Sequence, residues 1–161
     1  MQRKTYSPLA IASIKAWESL RLKAYRDEKG IWTVGYGSTT GAVPGLVVNA
    51  LTICTPDQAN EWLETKIKAI AADIDYSVTV ELNQNQFDAL VSLIYNVGST
   101  AFHRSKLLAR LNNGDPDAAD EMLDWCFEHR GGQLVKSAGL ENRRRAEYTL
   151  FHTPIDEEDA A

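Results

Sequence analysis

Glu18, Asp27 and Thr33 fall within one short stretch, WESLRLKAYRDEKGIWTVGYGS at residues 17–38, and their types suit acid–base chemistry on a bond attacked by water. A carboxylic acid in an apolar setting can deliver a proton. A carboxylate on a polar turn can receive one, and a hydroxyl can hold the water between them. Glycoside hydrolysis needs this division: one acid protonates the leaving oxygen while a carboxylate activates water or attacks the sugar. Spacing alone does not decide, because a Glu and an Asp nine residues apart also arise as a solvated helix end and a turn.

Local structure must bring the three together. Ser7 and Pro8 suit a helix N-cap and first turn, and Ile11, Ile14, Glu18 and Leu22 follow at the spacing of one helical stripe. Glu18 is thereby placed among apolar residues, where a carboxylate is costly unless it is paired or lines a cleft. AYRD, EKG and IWTVGYG then read as strand, turn and strand, with Gly30 supplying a positive φ at the turn's end. With Asp27 opposite Ile31, the two-residue pleat sets Tyr25, Asp27, Ile31 and Thr33 on one face. The glycines and Pro44 that follow mark turns, with LVV at 46–48 as a third short strand of a small antiparallel sheet.

TPDQ at 55–58 combines a Thr cap, a first-turn Pro and a Gln three residues after the cap, opening a helix to about residue 75. Beyond it, helical runs are expected in NQNQFDALVSLIYNVG (83–98), SKLLARLNNG (105–114), DPDAADEMLDWCFEHRGG (115–132) and LENRRRAEYTLF (140–151). The first three end in Gly. The RRR triplet at 143–145 reads as a solvated face or as ion-pair partners. The tail, HTPIDEEDAA, is disordered by composition.

The chain has 161 residues, 44% of them hydrophobic, which is enough for one domain with two lobes and too little for two independent domains. Four of its acids lie in the tail; without them the net charge of −5 falls to about −1. Nucleic acid is therefore not the expected partner. No run approaches the roughly 18 apolar residues of a membrane span, and the opening MQRKTYSPLAIASI lacks the features of an export signal. Cys54 and Cys126 read as buried free thiols, and His103, His129 and His152 as scattered surface residues. Neither set has the spacing of a zinc site or a nucleophile motif, so no metal is expected.

The stretch resembles the phage-type lysozymes, the endolysins of glycoside hydrolase family 24. The resemblance is carried by Glu18, eight residues, Asp27, five residues and Thr33, with LRLKAY, Gly30 and the GxG at 35–37 between and after them. It extends through LNQNQFDALVSLIYNVGSTAF (82–102) and NRRRAE (142–147), which look like the family's central helix and its arginine-bearing last helix, so that about residues 10–151 are covered. Many members carry His after the GxG, where this chain has Ser38.

The resemblance implies an α+β, lysozyme-like fold in a single domain. A small N-terminal lobe with a short antiparallel sheet (about 8–54) would be joined by a long helix (about 56–75) to a helical lobe (about 82–152), followed by the acidic tail (153–161), with a cleft between the lobes. It gives Glu18 the role of general acid, Asp27 that of assisting the attacking water, and Thr33 that of positioning it, with inversion of configuration typical. Arg143 is the match for the arginine that pairs with the catalytic Glu, and Arg144 the second choice. Tyr95 and Asn96 match a helix end that faces sugar, although core packing explains Tyr95 equally well.

The expected activity is hydrolysis of the β-1,4 bond between N-acetylmuramic acid and N-acetylglucosamine in bacterial peptidoglycan, by a monomer that needs no metal or cofactor. Such a protein would collect in the host cytoplasm without a membrane anchor and reach the periplasm through a holin-type factor. Two rivals remain open. A lytic transglycosylase would use Glu18 without the water-handling Asp27 and Thr33. A non-catalytic peptidoglycan-binding module would have no need of the set.

Overall fold

The computed structural model describes residues 5–155; the tail acids at 156–159, and the disorder expected of them, lie outside the described residues. Residues 11–69 form one compact unit, and the described residues on either side of that stretch form a second.

The helix α1 (Pro8–Glu18), in the first unit from Ile11 onward, leads into a three-stranded antiparallel sheet, β1 (Arg21–Arg26), β2 (Trp32–Gly35) and β3 (Ser38–Thr39), in the order β1-β2-β3. The Ser7 hydroxyl caps α1 by accepting from the Leu9 amide at 3.1 Å. The helix ends earlier than its apolar stripe predicts: Ser19 takes a left-handed φ of 57°, and Leu22 lies in β1, not on the helix. There the Leu22 carbonyl accepts from the Cys54 amide at 2.8 Å, so sheet pairing overrides the helical spacing.

The hairpin has the register inferred from its pleat. Tyr25 pairs with Thr33 and Arg26 with Trp32, and the Asp27 amide donates to the Ile31 carbonyl at 3.0 Å. Gly30, at φ 75°, closes the turn. The third strand is not at 46–48. The Gly35-Tyr36-Gly37 turn folds the chain straight back, so that Ser38 and Thr39 pair with β2. Val48 instead satisfies its amide and carbonyl on the Thr40 hydroxyl, at 2.9 and 3.2 Å. Val34, Val48, Cys54 and Ala59 form the buried centre of this unit, with Trp32, Tyr36 and Trp62 packed around it.

The helix α2 (Pro56–Ser77) is opened by the reciprocal cap read from TPDQ: the Gln58 amide donates to the Thr55 hydroxyl at 3.1 Å and the Thr55 amide to Gln58 Oε1 at 2.9 Å. Its buried stripe of Ala59, Leu63, Ile67, Ile70 and Ile74 keeps helical spacing, and its residues belong to both units in turn. In the second unit, α3 (Gln84–Val97) carries a capping box between Asn83 and Gln86, and every residue from Phe87 to Tyr95 is buried. The elements α4 (Ser99–His103) and α5 (Lys106–Asn112) follow, and α6 (Ala138–His152) packs against α3.

Residues 115–132 are not one helix. A 3₁₀ segment (Ala118–Asp124) gives way to a hairpin of β4 (Phe127–Arg130) and β5 (Gln133–Lys136), turned by Gly131 and Gly132, both at positive φ. A Gly-Gly pair between short strands is the two-residue turn signal, and it outweighs the helical composition of the preceding residues. Among the described residues no helix is long and apolar enough to cross a membrane.

Both cysteines are buried and free. Burial pushes the Cys54 thiol up, which makes it less reactive. Both thiols are expected to stay free and closed to a thiol reagent until the protein unfolds, and activity should survive reductant. Non-reducing mass analysis checks this, and a Cys54–Cys126 bridge would contradict it.

Candidate active site

Three of the residues singled out from sequence lie in the first unit, each placed by a different local device. Glu18 is the last residue of α1 and is half-buried. The β2–β3 turn backs its carboxylate: a Cβ built on Gly37 would stand 3.0 Å from Glu18 Oε2, and Gly37 has φ +78°. A side chain at 37 would be strained by its own backbone and would crowd Glu18, which gives the second glycine of the GxG a steric task.

Asp27 shapes the hairpin turn with one oxygen only. Its Oδ1 accepts from the Lys29 amide at 2.9 Å and the Ile31 amide at 2.8 Å. Its Oδ2 takes no hydrogen bond from another described residue. The carboxylate is thus fixed in orientation by one oxygen while the other stays available as a base. Thr33 is buried, and its hydroxyl donates to the Ile31 carbonyl at 3.1 Å. With its proton so committed, Thr33 Oγ1 can meet a water only as an acceptor.

This division separates two substitutions. Asp27→Asn can keep an oxygen at the Oδ1 position and is expected to melt within a few degrees of wild type while losing most activity. Asp27→Ala loses both turn hydrogen bonds and should be less stable by about 1–2 kcal/mol as well as inactive. Thermal melts of the two variants side by side check this; equal melting temperatures would show that the Oδ1 bonds do not hold the turn.

Tyr95, Asn96 and Arg143 lie in the second unit. Tyr95 is 3% exposed. Asn96 is exposed, and its Oδ1 accepts from Arg144 Nη2 at 3.0 Å. The RRR triplet is not a solvated face: Arg143 and Arg144 are 4% and 0% exposed, and only Arg145 is at the surface, paired with Glu141 at 2.9 Å. Successive helical residues point about 100° apart, so three arginines in a row cannot share one face.

What draws two of them inward is Glu147, a residue the sequence reading passed over. Its carboxylate lies 3.1 Å from Arg143 Nε and 2.9 Å from Arg144 Nε, and accepts from the Ser92 hydroxyl at 2.7 Å. Arg143 also donates to the Ser92 carbonyl at 3.1 Å. Burial pushes the Glu147 carboxyl up, while the two guanidiniums and the Ser92 hydroxyl pull it back down. The signal was present in NRRRAE, where Glu147 stands four residues after Arg143 and three after Arg144.

The sequence model of the phage lysozyme family matches residues 15–147. An endolysin of Acyrthosiphon pisum secondary endosymbiont phage 1 is 39% identical over 148 residues, which span 91% of this chain and 97% of that one. Among solved structures, the muramidase domain of SpmX from Asticaccaulis excentricus has a TM-score of 0.82 at 35% identity, over 94% of this chain and all (100%) of that one. The endolysin from Escherichia coli O157:H7 phage FAHEc1 has a TM-score of 0.81 at 35% identity, over 96% of each chain. With its matched span enclosing Glu18, Asp27 and Thr33 and its fold lysozyme-like, the chain belongs to the phage lysozyme family.

Proposed function

We propose that this chain is an endolysin that hydrolyses the β-1,4 bond between N-acetylmuramic acid and N-acetylglucosamine in bacterial peptidoglycan. Glu18 donates a proton to the glycosidic oxygen as the bond to the anomeric carbon breaks. A water held between Asp27 and Thr33 directs one proton to Asp27 Oδ2 and the other to Thr33 Oγ1, leaving a lone pair to attack the anomeric carbon. Asp27 ends with the water's proton and the sugar with its hydroxyl. In the family resemblance this single displacement inverts configuration.

The observation that carries the reading is the Asp27 carboxylate, fixed through Oδ1 with Oδ2 open, on the same hairpin as a threonine whose proton is already committed. A transglycosylase would have no use for a water so prepared. Release of new reducing ends from purified peptidoglycan tests the reading, and none at any enzyme concentration would overturn it.

The remaining roles rest on the resemblance. Arg143, with Arg144 as the alternative, serves the catalytic Glu, and Tyr95 and Asn96 contact sugar; Tyr95, being buried, suits core packing at least as well. The protein acts as a monomer that accumulates in the host cytoplasm and reaches the wall when a holin-type factor opens the membrane.

A further inference from the structure

Tyr25 is a third polar side chain on the face that carries Asp27 and Thr33. Its Cα lies directly across the hairpin from Thr33, and it stands two residues before Asp27, so the pleat turns all three the same way. The ring is half-buried, and the Arg21 guanidinium lies 4.7 Å from its centroid, a cation–π contact that fixes its orientation. Its hydroxyl makes no hydrogen bond to another described residue. Burial pushes the phenol's ionisation up against the opposing pull of Arg21, and the Glu18 and Asp27 carboxylates, both near enough to act on it, push it further. The hydroxyl is therefore a donor on the face that carries Asp27 and Thr33, with no hydrogen bond of its own to another described residue.

We propose that Tyr25 contacts substrate directly, its hydroxyl donating a hydrogen bond to an acceptor oxygen of the sugar whose glycosidic bond is cut. The inference rests on the muramidase reading and adds a residue to it. The attacking water is the poorer candidate: its two protons go to Asp27 and Thr33, and a phenol donating to one of its lone pairs would draw electron density from the oxygen that must attack carbon. Sugar hydroxyl and N-acetyl oxygens accept without that conflict.

Binding can be measured apart from turnover. In a Glu18→Gln background, which cannot cut, titration calorimetry with soluble peptidoglycan oligosaccharide compares the parent with the Glu18→Gln/Tyr25→Phe double variant. Phenylalanine keeps the ring and its stacking on Arg21 and removes only the hydroxyl. The expected result is a Kd raised roughly ten-fold, the worth of one neutral hydrogen bond, with the melting temperature unchanged. In the otherwise wild-type enzyme the same loss should appear in KM with kcat retained. An unchanged Kd overturns the proposal, as does weakened binding that tracks a fall in melting temperature, which would make the hydroxyl structural. A loss confined to kcat also overturns it, since it would place the hydroxyl on the water. If wild type releases no reducing ends, the muramidase reading fails, yet the binding comparison still decides Tyr25.

Discussion

Glu18→Gln is expected to remove nearly all clearing of a peptidoglycan suspension while leaving the protein folded. The amide keeps the shape of the carboxyl group beside Gly37, where space is so limited that even a Cβ would stand 3.0 Å from Oε2. What it loses is the proton that must reach the glycosidic oxygen. General-acid contributions are roughly 10²- to 10⁴-fold, and the fall in rate should be at least of that order. Circular dichroism should be superimposable on wild type, with a melting temperature within a few degrees. Near wild-type clearing by a folded Glu18→Gln protein would remove Glu18 from the mechanism, and the water-handling roles of Asp27 and Thr33 would lose their purpose.

Glu147→Ala is expected to have the largest effect on stability. Glu147 is 3% exposed and lies between two guanidiniums that are themselves 4% and 0% exposed. Removing one partner of a buried ion cluster leaves charge in a medium that cannot solvate it, at a cost of about 3–5 kcal/mol. A domain of this size is stabilised by about 5–15 kcal/mol, so the melting temperature should fall by roughly 10 °C or more. Replacing both sides, as in Arg144→Met with Glu147→Leu, should recover part of the loss, because an apolar pair of similar volume removes one buried charge of each sign together. A Glu147→Ala melt within a degree or two of wild type would show that the cluster is not what holds α6 on α3.

The parts of the fold that could be read from sequence are those fixed by local chemistry. The cap at Thr55 satisfies orphan amides within a few residues, and the hairpin register follows from a two-residue pleat and a single turn glycine. What could not be read depends on distant partners. A two-residue strand such as Ser38–Thr39 has no periodicity of its own and exists because β2 lies beside it. Leu22 fits a helical stripe as well as a strand until Cys54 pairs with it. Arg143 and Arg144 look like surface charge until Ser92 and Glu147 enclose them. The site divides in the same way: residue types and spacing nominate Glu18, Asp27 and Thr33, and the pleat sets Tyr25 on their face, but only the folded chain shows that Asp27 holds the turn through one oxygen and that the Thr33 hydroxyl is committed to a carbonyl.

If Asp27 and Thr33 deliver water to the anomeric carbon, the oxygen of that water must remain in the product. Digestion of purified peptidoglycan in heavy-oxygen water, followed by mass spectrometry of the released glycan ends, tests it most directly. Hydrolysis requires N-acetylmuramic acid reducing ends, each carrying one heavy oxygen from solvent, from the first cuts onward. Anhydro-muramic ends without label would mean that the sugar's own hydroxyl closes on the anomeric carbon, and would replace hydrolysis with the transglycosylase reaction.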